Sequence, residues 1–153
     1  MYEIVLSFHS WIRWLLLIIG MLVIFRSIYG WIKQAEYTHG DNILSASLVG
    51  LFYTQLIVGL LLYFVLSPLT ETALSDFGKA MRDPILRFWS LEHILVMIGA
   101  VTLAQIGRTR SNKTVNHIIK FRTQSVYFIL ALILVLSRIP WYDPVRLFRG
   151  ISQ

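Results

Sequence analysis

Four long apolar runs separated by short polar connections organise the chain. They cover about residues 4–25, 43–66, 88–106 and 118–139, with Trp31 as the furthest extent of the first. A helix needs ~20 residues to cross ~30 Å of hydrocarbon, and each run is about that long. The pattern therefore predicts an all-α integral membrane protein, a four-helix transmembrane bundle. The second connection adds a shorter element. Ser67-Pro68 is a helix start with proline at the first helical position. Ala73, Leu74, Phe77, Ala80 and Met81 then form one apolar stripe, with Asp76, Lys79 and Arg82 elsewhere on the wheel. This predicts a short amphipathic helix on the membrane surface between helices two and three, ended by Asp83-Pro84.

The connections carry the punctuation. Asp41 or Asn42 is placed to cap helix two. Gly107 to His117 reads as a polar, basic connection. After Pro140, the segment Trp141-Tyr142-Asp143-Pro144 reads as a tail leaving the membrane with an aromatic anchor.

Composition agrees with lipid as the solvent. The chain is 56% hydrophobic and 14% charged, where a soluble domain carries about 25% charge. No second polar region exists, so residues 1–153 read as a single transmembrane domain. Cysteine is absent, which excludes disulfides, iron–sulfur clusters and thiolate-ligated zinc or haem. The net charge of +6 is explained by basic connections facing lipid head groups, not by nucleic acid. The first run has neither a basic stretch before it nor a small-residue cleavage site after it, so it is expected to persist as helix one.

Four spans place both termini on one side. The opposite side, side A, holds the first and third connections, with Arg26, Lys33, Arg108, Arg110, Lys113, Lys120 and Arg122. Side B holds Lys79, Arg82, Arg87, Arg138, Arg146 and Arg149. The dense basic cluster in the third connection favours side A as cytoplasmic and both termini as periplasmic in a bacterial inner membrane.

Ionisable residues inside a span are costly, so each needs an explanation. His9, Arg13, Glu92 and His93 stand out. His9 and His93 each lie about five residues from side B, or ~7 Å into helices one and three. Two imidazoles at one level across a bundle are suited to hold both axial positions of a haem iron. Gly20, Gly99, Ala100 and Ala104 would allow close helix approach. Trp11, Trp14, Phe88 and Trp89 would form apolar walls. Arg138, with Arg87, would meet the propionates at side B. Arg13 would pair with Glu92 and link the helices, and that pair acting as a purely structural lock is the competing reading. A histidine near an interface is most often a plain hydrogen-bonded polar residue, and Met97, one turn from His93, is more often packing than a ligand. His39 and His117 lie on side A, where a second haem would need them. Gln55 faces the same side as Gly59 and is expected to hydrogen-bond across helices. Gln105 and Gln124 are expected at the side-A interface.

The stretches His9-Ser10-Trp11-Ile12-Arg13-Trp14, Gln55-Leu56-Ile57-Val58-Gly59-Leu60, Glu92-His93 with Met97, and Arg138-Ile139-Pro140-Trp141 together resemble a family of small bacterial four-span membrane proteins labelled cytochrome-b-like or uncharacterised. The resemblance covers nearly the whole chain and implies that His9, Arg13, Glu92 and His93 form the characteristic cluster. The chain departs from two-haem cytochromes in lacking a second in-membrane histidine pair.

Two functions follow as expectations. One is a membrane electron-transfer protein, an oxidoreductase or electron-carrier subunit. It would bind one haem b through His9 and His93, with Arg13 and Arg138 tuning charge and a quinone or redox protein as partner. The other is a non-catalytic subunit or assembly factor of a larger membrane complex, in which the same cluster serves packing. No nucleophile–base arrangement or phosphate loop is present, and four spans without a broken helix are few for a transporter.

Overall fold

The computed structural model describes residues 1–143 and 147. Four of its helices are long and apolar enough to cross a membrane. Helix α1 runs Tyr2–Ile32. Helix α2 runs His39–Leu61 and continues as a π turn, Leu62–Leu66. Short helices α3 (Pro68–Ser75) and α4 (Phe77–Ala80) follow. The third span opens with α5 (Pro84–Arg87), passes through a π turn at Phe88–Glu92 and continues as α6 (His93–Asn112). The fourth is α7, His117–Ser137. No strand occurs among the described residues.

Helix α1 packs on α2 and α7, and α6 packs on the same two. The spans thus form a square in which α1 and α6 stand on one diagonal. Leu16, Leu48, Phe52, Ala100, Ala104, Phe128 and Leu132 fill the centre. The outer faces keep Ile18, Phe25, Ile57, Phe64, Leu95 and Ile133 exposed, a belt that only lipid would tolerate.

The ends differ from the sequence expectation in physically informative ways. Helix α2 is capped by Thr38, not by Asp41 or Asn42. Thr38 Oγ1 accepts from the Asp41 amide, and the Asp41 carboxylate accepts from the Thr38 amide, a reciprocal capping box. Asp83 does not merely stop the surface element. Its carboxylate accepts from the Ile85 and Leu86 amides and starts the third span, with Pro84 in the first turn. The surface element is broken at Asp76, whose backbone leaves the helical region and whose side chain caps α4. Gly107 lies inside α6, because polar residues up to Asn112 extend the helix beyond the hydrocarbon. The tail does not simply leave after Pro140. Leu147 is buried, and its carbonyl accepts from Arg13 and from Trp14 Nε1, at 2.9 and 2.8 Å. Pro144, Arg146 and Arg149, which entered the sequence reading, lie outside the described residues.

A buried polar layer closes the side-A half. Gln124, 1% exposed, donates to Tyr37 Oη (2.8 Å) and Ser111 Oγ (3.0 Å). Arg108 donates to Ser45 Oγ at 2.6 Å. Arg26 grips Asp41 with two bonds of 2.7 and 2.9 Å. These bonds join all four spans. Gln124 is therefore a core residue and not an interfacial one, whereas Gln105 bonds Tyr53 and Thr109 on an exposed face.

Candidate functional site

The side-B half of the bundle axis is hollow. A cavity of about 130 Å³ is lined by all four spans and by the surface helix. Helix α1 contributes His9, Ser10 and Arg13. Helix α2 contributes Phe52, Gln55, Leu56 and Gly59, the third span Trp89, His93 and Met97, and the chain around the end of α7 contributes Val135, Ile139 and Pro140. Leu69 and Thr70 of α3 reach it from the end. The walls are mainly apolar, so the few polar groups on them are the chemistry of the site.

Two π turns shape this half. Each inserts one extra residue into a helical turn, which rotates the side chains that follow and displaces carbonyls from the regular ladder. In the third span the displaced Ser90 carbonyl accepts from Tyr63 Oη at 2.7 Å, and Tyr63 belongs to the π turn of α2. The Tyr63 carbonyl in turn accepts from Thr70 Oγ1 at 2.7 Å. One chain of bonds thus ties the ends of α2, α3 and the third span together around the cavity. No sequence signal distinguishes these turns from ordinary helix.

The two histidines predicted at matching depth both line this one cavity, from the diagonal helices α1 and α6. Their supports differ. His93 Nδ1 lies 3.1 Å from the Arg138 carbonyl. A carbonyl only accepts, so Nδ1 carries the proton and Nε2 keeps its lone pair. The carbonyl is available because α7 ends at Ser137 and Arg138 is its C-cap, whose oxygen has no partner in the ladder. The rings of Trp89 and Phe88 lie 5.5 and 5.9 Å from the His93 ring. His9 is held differently. Gln55 Nε2 donates to the His9 backbone carbonyl at 3.0 Å, the cross-helix bond anticipated for a glutamine in mid-span. The His9 ring rests against Gly59, where a Cβ would come within 3.2 Å of its Cε1. His9 Nδ1 is buried and has no hydrogen-bond partner.

The charged groups pair otherwise than expected. Glu92 does not bridge to Arg13. Its carboxylate lies 2.9 Å from Arg87 Nε and 3.5 Å from Arg138. The π turn at Phe88–Glu92 accompanies this pairing within the third span, five residues apart, and Arg13 is met instead by the returning Leu147 carbonyl. Arg138 thereby serves twice, with its guanidinium on Glu92 and its carbonyl on His93.

His39 and His117 do not form a second pair of this kind. His39 is the first residue of α2, and His117 Nδ1 accepts from the Tyr37 amide at 2.9 Å. Among the described residues, no group of three or more His, Cys, Asp or Glu is placed to hold a metal ion. What the cavity offers is a pair of imidazoles on opposite helices with apolar walls between them. Two imidazoles are the donor set of a group that brings its own equatorial ligands, but a volume of about 130 Å³ is below the roughly 300–1,000 Å³ of ordinary ligand pockets, so a group of that size would enter only as the helices part.

These features define a multi-pass α-helical membrane protein with a cavity lined by all four spans, whose polar groups come from the first three spans and the surface helix. No protein-family model, curated protein or solved structure matches the chain.

Proposed function

We propose that this is a membrane electron-transfer protein that binds one haem b near the side carrying both termini, with His9 and His93 as axial ligands. The observation that carries the proposal is the convergence of these two imidazoles on one apolar cavity from diagonal helices. The Nδ1–H of His93 is committed to a backbone carbonyl, which is the outer-shell support usual for a metal-bound imidazole. The cavity's apolar lining would exclude water, and Arg13 and Arg138 would bring positive charge to an anionic porphyrin. Bound haem supplies one-electron chemistry. The protein's part is to hold the ring, set its electrostatic surroundings and shield it. The resemblance to cytochrome-b-like four-span proteins points the same way. A bacterial inner membrane is the setting this reading implies, with side A cytoplasmic and a quinone or a periplasmic redox protein as the exchange partner.

The test is an absorption spectrum of protein purified after expression with ample haem. A Soret band with sharp reduced α and β bands, lost in the double variant His9→Ala/His93→Ala, is the expected result. Colourless wild-type protein that also fails to take up added haemin would overturn the proposal.

A second reading is favoured by the ion-pair arrangement. Arg87, Glu92 and Arg138 tie the third and fourth spans, and Gln55 ties α2 to α1. In a non-catalytic subunit or assembly factor of a larger membrane complex, these links alone would be the purpose of the cluster. Glu92→Gln separates the two. Under the first reading the spectrum shifts or haem affinity falls. Under the second no chromophore is present and only recovery of the complex declines.

A further inference from the structure

We infer that the cavity in the side-B half is a binding site for a small monocarboxylate, its head group held by His9, Ser10 and Arg13 of α1 and its short chain by the apolar walls. Binding of this kind does not rest on the haem reading, because it needs only the cavity at the size it has in this structure.

The donors are gathered on one stretch of α1. His9, Ser10 and Arg13 all line the cavity, and they stand within about one turn, or ~6 Å of helix axis. A head group with two oxygens can reach across that distance with charge-assisted bonds of ~2.7–2.9 Å. Arg13 is positioned by the Leu147 carbonyl, 2.9 Å from Nη2, and by the Trp14 ring, whose centroid lies 5.4 Å from the guanidinium carbon. A guanidinium has five donors in one plane, so it can hold that carbonyl and a carboxylate together. Ser10 adds a hydroxyl, and His9 adds an N–H. The His9 Nδ1 is buried without a partner, and the Cε1 and Nδ1 edge of the ring faces Gly59. A buried N–H without an acceptor is rarer than a bare acceptor. Nδ1 is therefore the bare nitrogen, and Nε2 carries the proton on the edge turned to the cavity.

Charge and size select the occupant. Among the described residues Arg13 is the one charged side chain on the lining, and no carboxylate lies there. Glu92 is engaged by Arg87 and Arg138. Low-dielectric walls focus the positive field on the interior, which favours an anion. Two acceptor atoms limit it to a single negative charge. One is His93 Nε2, whose ring gives its proton to the Arg138 carbonyl from Nδ1. The other is Gln55 Oε1, whose amide nitrogen donates to the His9 carbonyl. Both atoms only accept, so neither would hold a second carboxylate. Leu6, Phe52, Leu56, Leu60 and Ile94 suit hydrocarbon and not a strongly hydrated ion. An apolar cavity of about 150 Å³ takes benzene, with its six non-hydrogen atoms. About 130 Å³ therefore admits a carboxylate of up to about six such atoms, the size of butyrate.

The experiment uses the full chain purified in detergent without added haem. Sodium butyrate is titrated by calorimetry beside its uncharged isostere butyramide, the dianion succinate, the longer octanoate and sodium chloride, all at one ionic strength. Butyrate is expected to bind saturably and one to one. Butyramide is expected to bind at least about tenfold more weakly, as for loss of a hydrogen bond to a charged group. Succinate, octanoate and chloride should also bind more weakly than butyrate. In nitrogen-15 spectra of wild-type protein, His9 should carry its proton on Nε2, and that signal should move with butyrate at the calorimetric affinity. Arg13→Gln should weaken butyrate by about tenfold or more and leave butyramide unchanged, with Arg13→Lys, which keeps the charge but not the planar fork, falling between. If an Arg13 variant fails to fold, the ligand comparison on wild-type protein decides. Equal affinity for butyrate and butyramide would overturn this inference, as would chloride or succinate binding as tightly as butyrate, a His9 signal that does not move, or no saturable butyrate binding. None of these results touches the haem reading. Colourless protein that takes up no haemin, which overturns that reading, leaves the carboxylate site standing.

Discussion

Replacing Gly107 by alanine adds one methyl group where two helices touch most closely. A Cβ at Gly107 would lie 2.4 Å from Tyr127 Cβ, and carbon atoms prefer ~3.5–4.0 Å. The clash is with the first carbon of a side chain, which no rotamer change can move. Helices α6 and α7 must therefore part by about 1 Å or more along their most extensive contact. Overpacking of this kind costs ~1–3 kcal/mol, and an immovable obstacle puts it at the upper end. Alanine recovers about 1 kcal/mol of helix propensity over glycine. The net is a destabilisation of about 2 kcal/mol. Gly50→Ala is the control, since nothing lies within 4 Å of the added carbon there. It gains the propensity alone, so the two variants should differ by about 3 kcal/mol. Unfolding in mixed micelles of dodecylmaltoside and sodium dodecyl sulfate, followed by circular dichroism, measures both against wild type. Gly107→Ala as stable as Gly50→Ala would refute the claim that α6 and α7 are in contact at this residue.

Two further changes probe the side-A layer by the same unfolding measurement. Asp41→Asn removes the charge that Arg26 grips and weakens the Thr38 capping box; a loss of about 1.5–3 kcal/mol is expected, as for a hydrogen bond to a charged group, and an unchanged midpoint would count against it. Gln124→Leu keeps the volume but strips Tyr37 Oη and Ser111 Oγ of a shared donor; about 1–3 kcal/mol should be lost, with Gln105→Leu, on an exposed face, costing less than Gln124→Leu.

The histidine pair shows how far sequence reasoning reaches into a site. Counting residues from the ends of the apolar runs put His9 and His93 at one depth, and both do line the same cavity. Depth is legible because every helical residue advances by a constant rise. Rotation about the helix axis is not, and it decides which groups meet. Arg13 and Glu92 share the neighbourhood, yet Glu92 pairs with Arg87 and Arg138. The carbonyl that orients His93 belongs to Arg138, and a backbone oxygen leaves no trace in residue type. Close approach was expected at Gly99, whose added carbon would meet only an ordinary contact at 3.7 Å. The tight positions are Gly20, where close approach was expected and an added carbon would lie 2.9 Å from Leu132 Cδ1, and Gly107 and Gly30, the latter against the Phe121 ring.

The sequence by itself determined the membrane, the four spans and the surface element between the second and third. Those follow from transfer free energy summed along each run, a property of residues taken one at a time. The tertiary structure decided the rest: the diagonal placement of α1 and α6, the two π turns, the burial of Gln124 and the unequal support of the two imidazoles. In lipid, a helix that is apolar on every face does not announce which face turns inward. Close packing and the pairing of a few polar groups make that choice, and both depend on neighbours that only the folded bundle supplies.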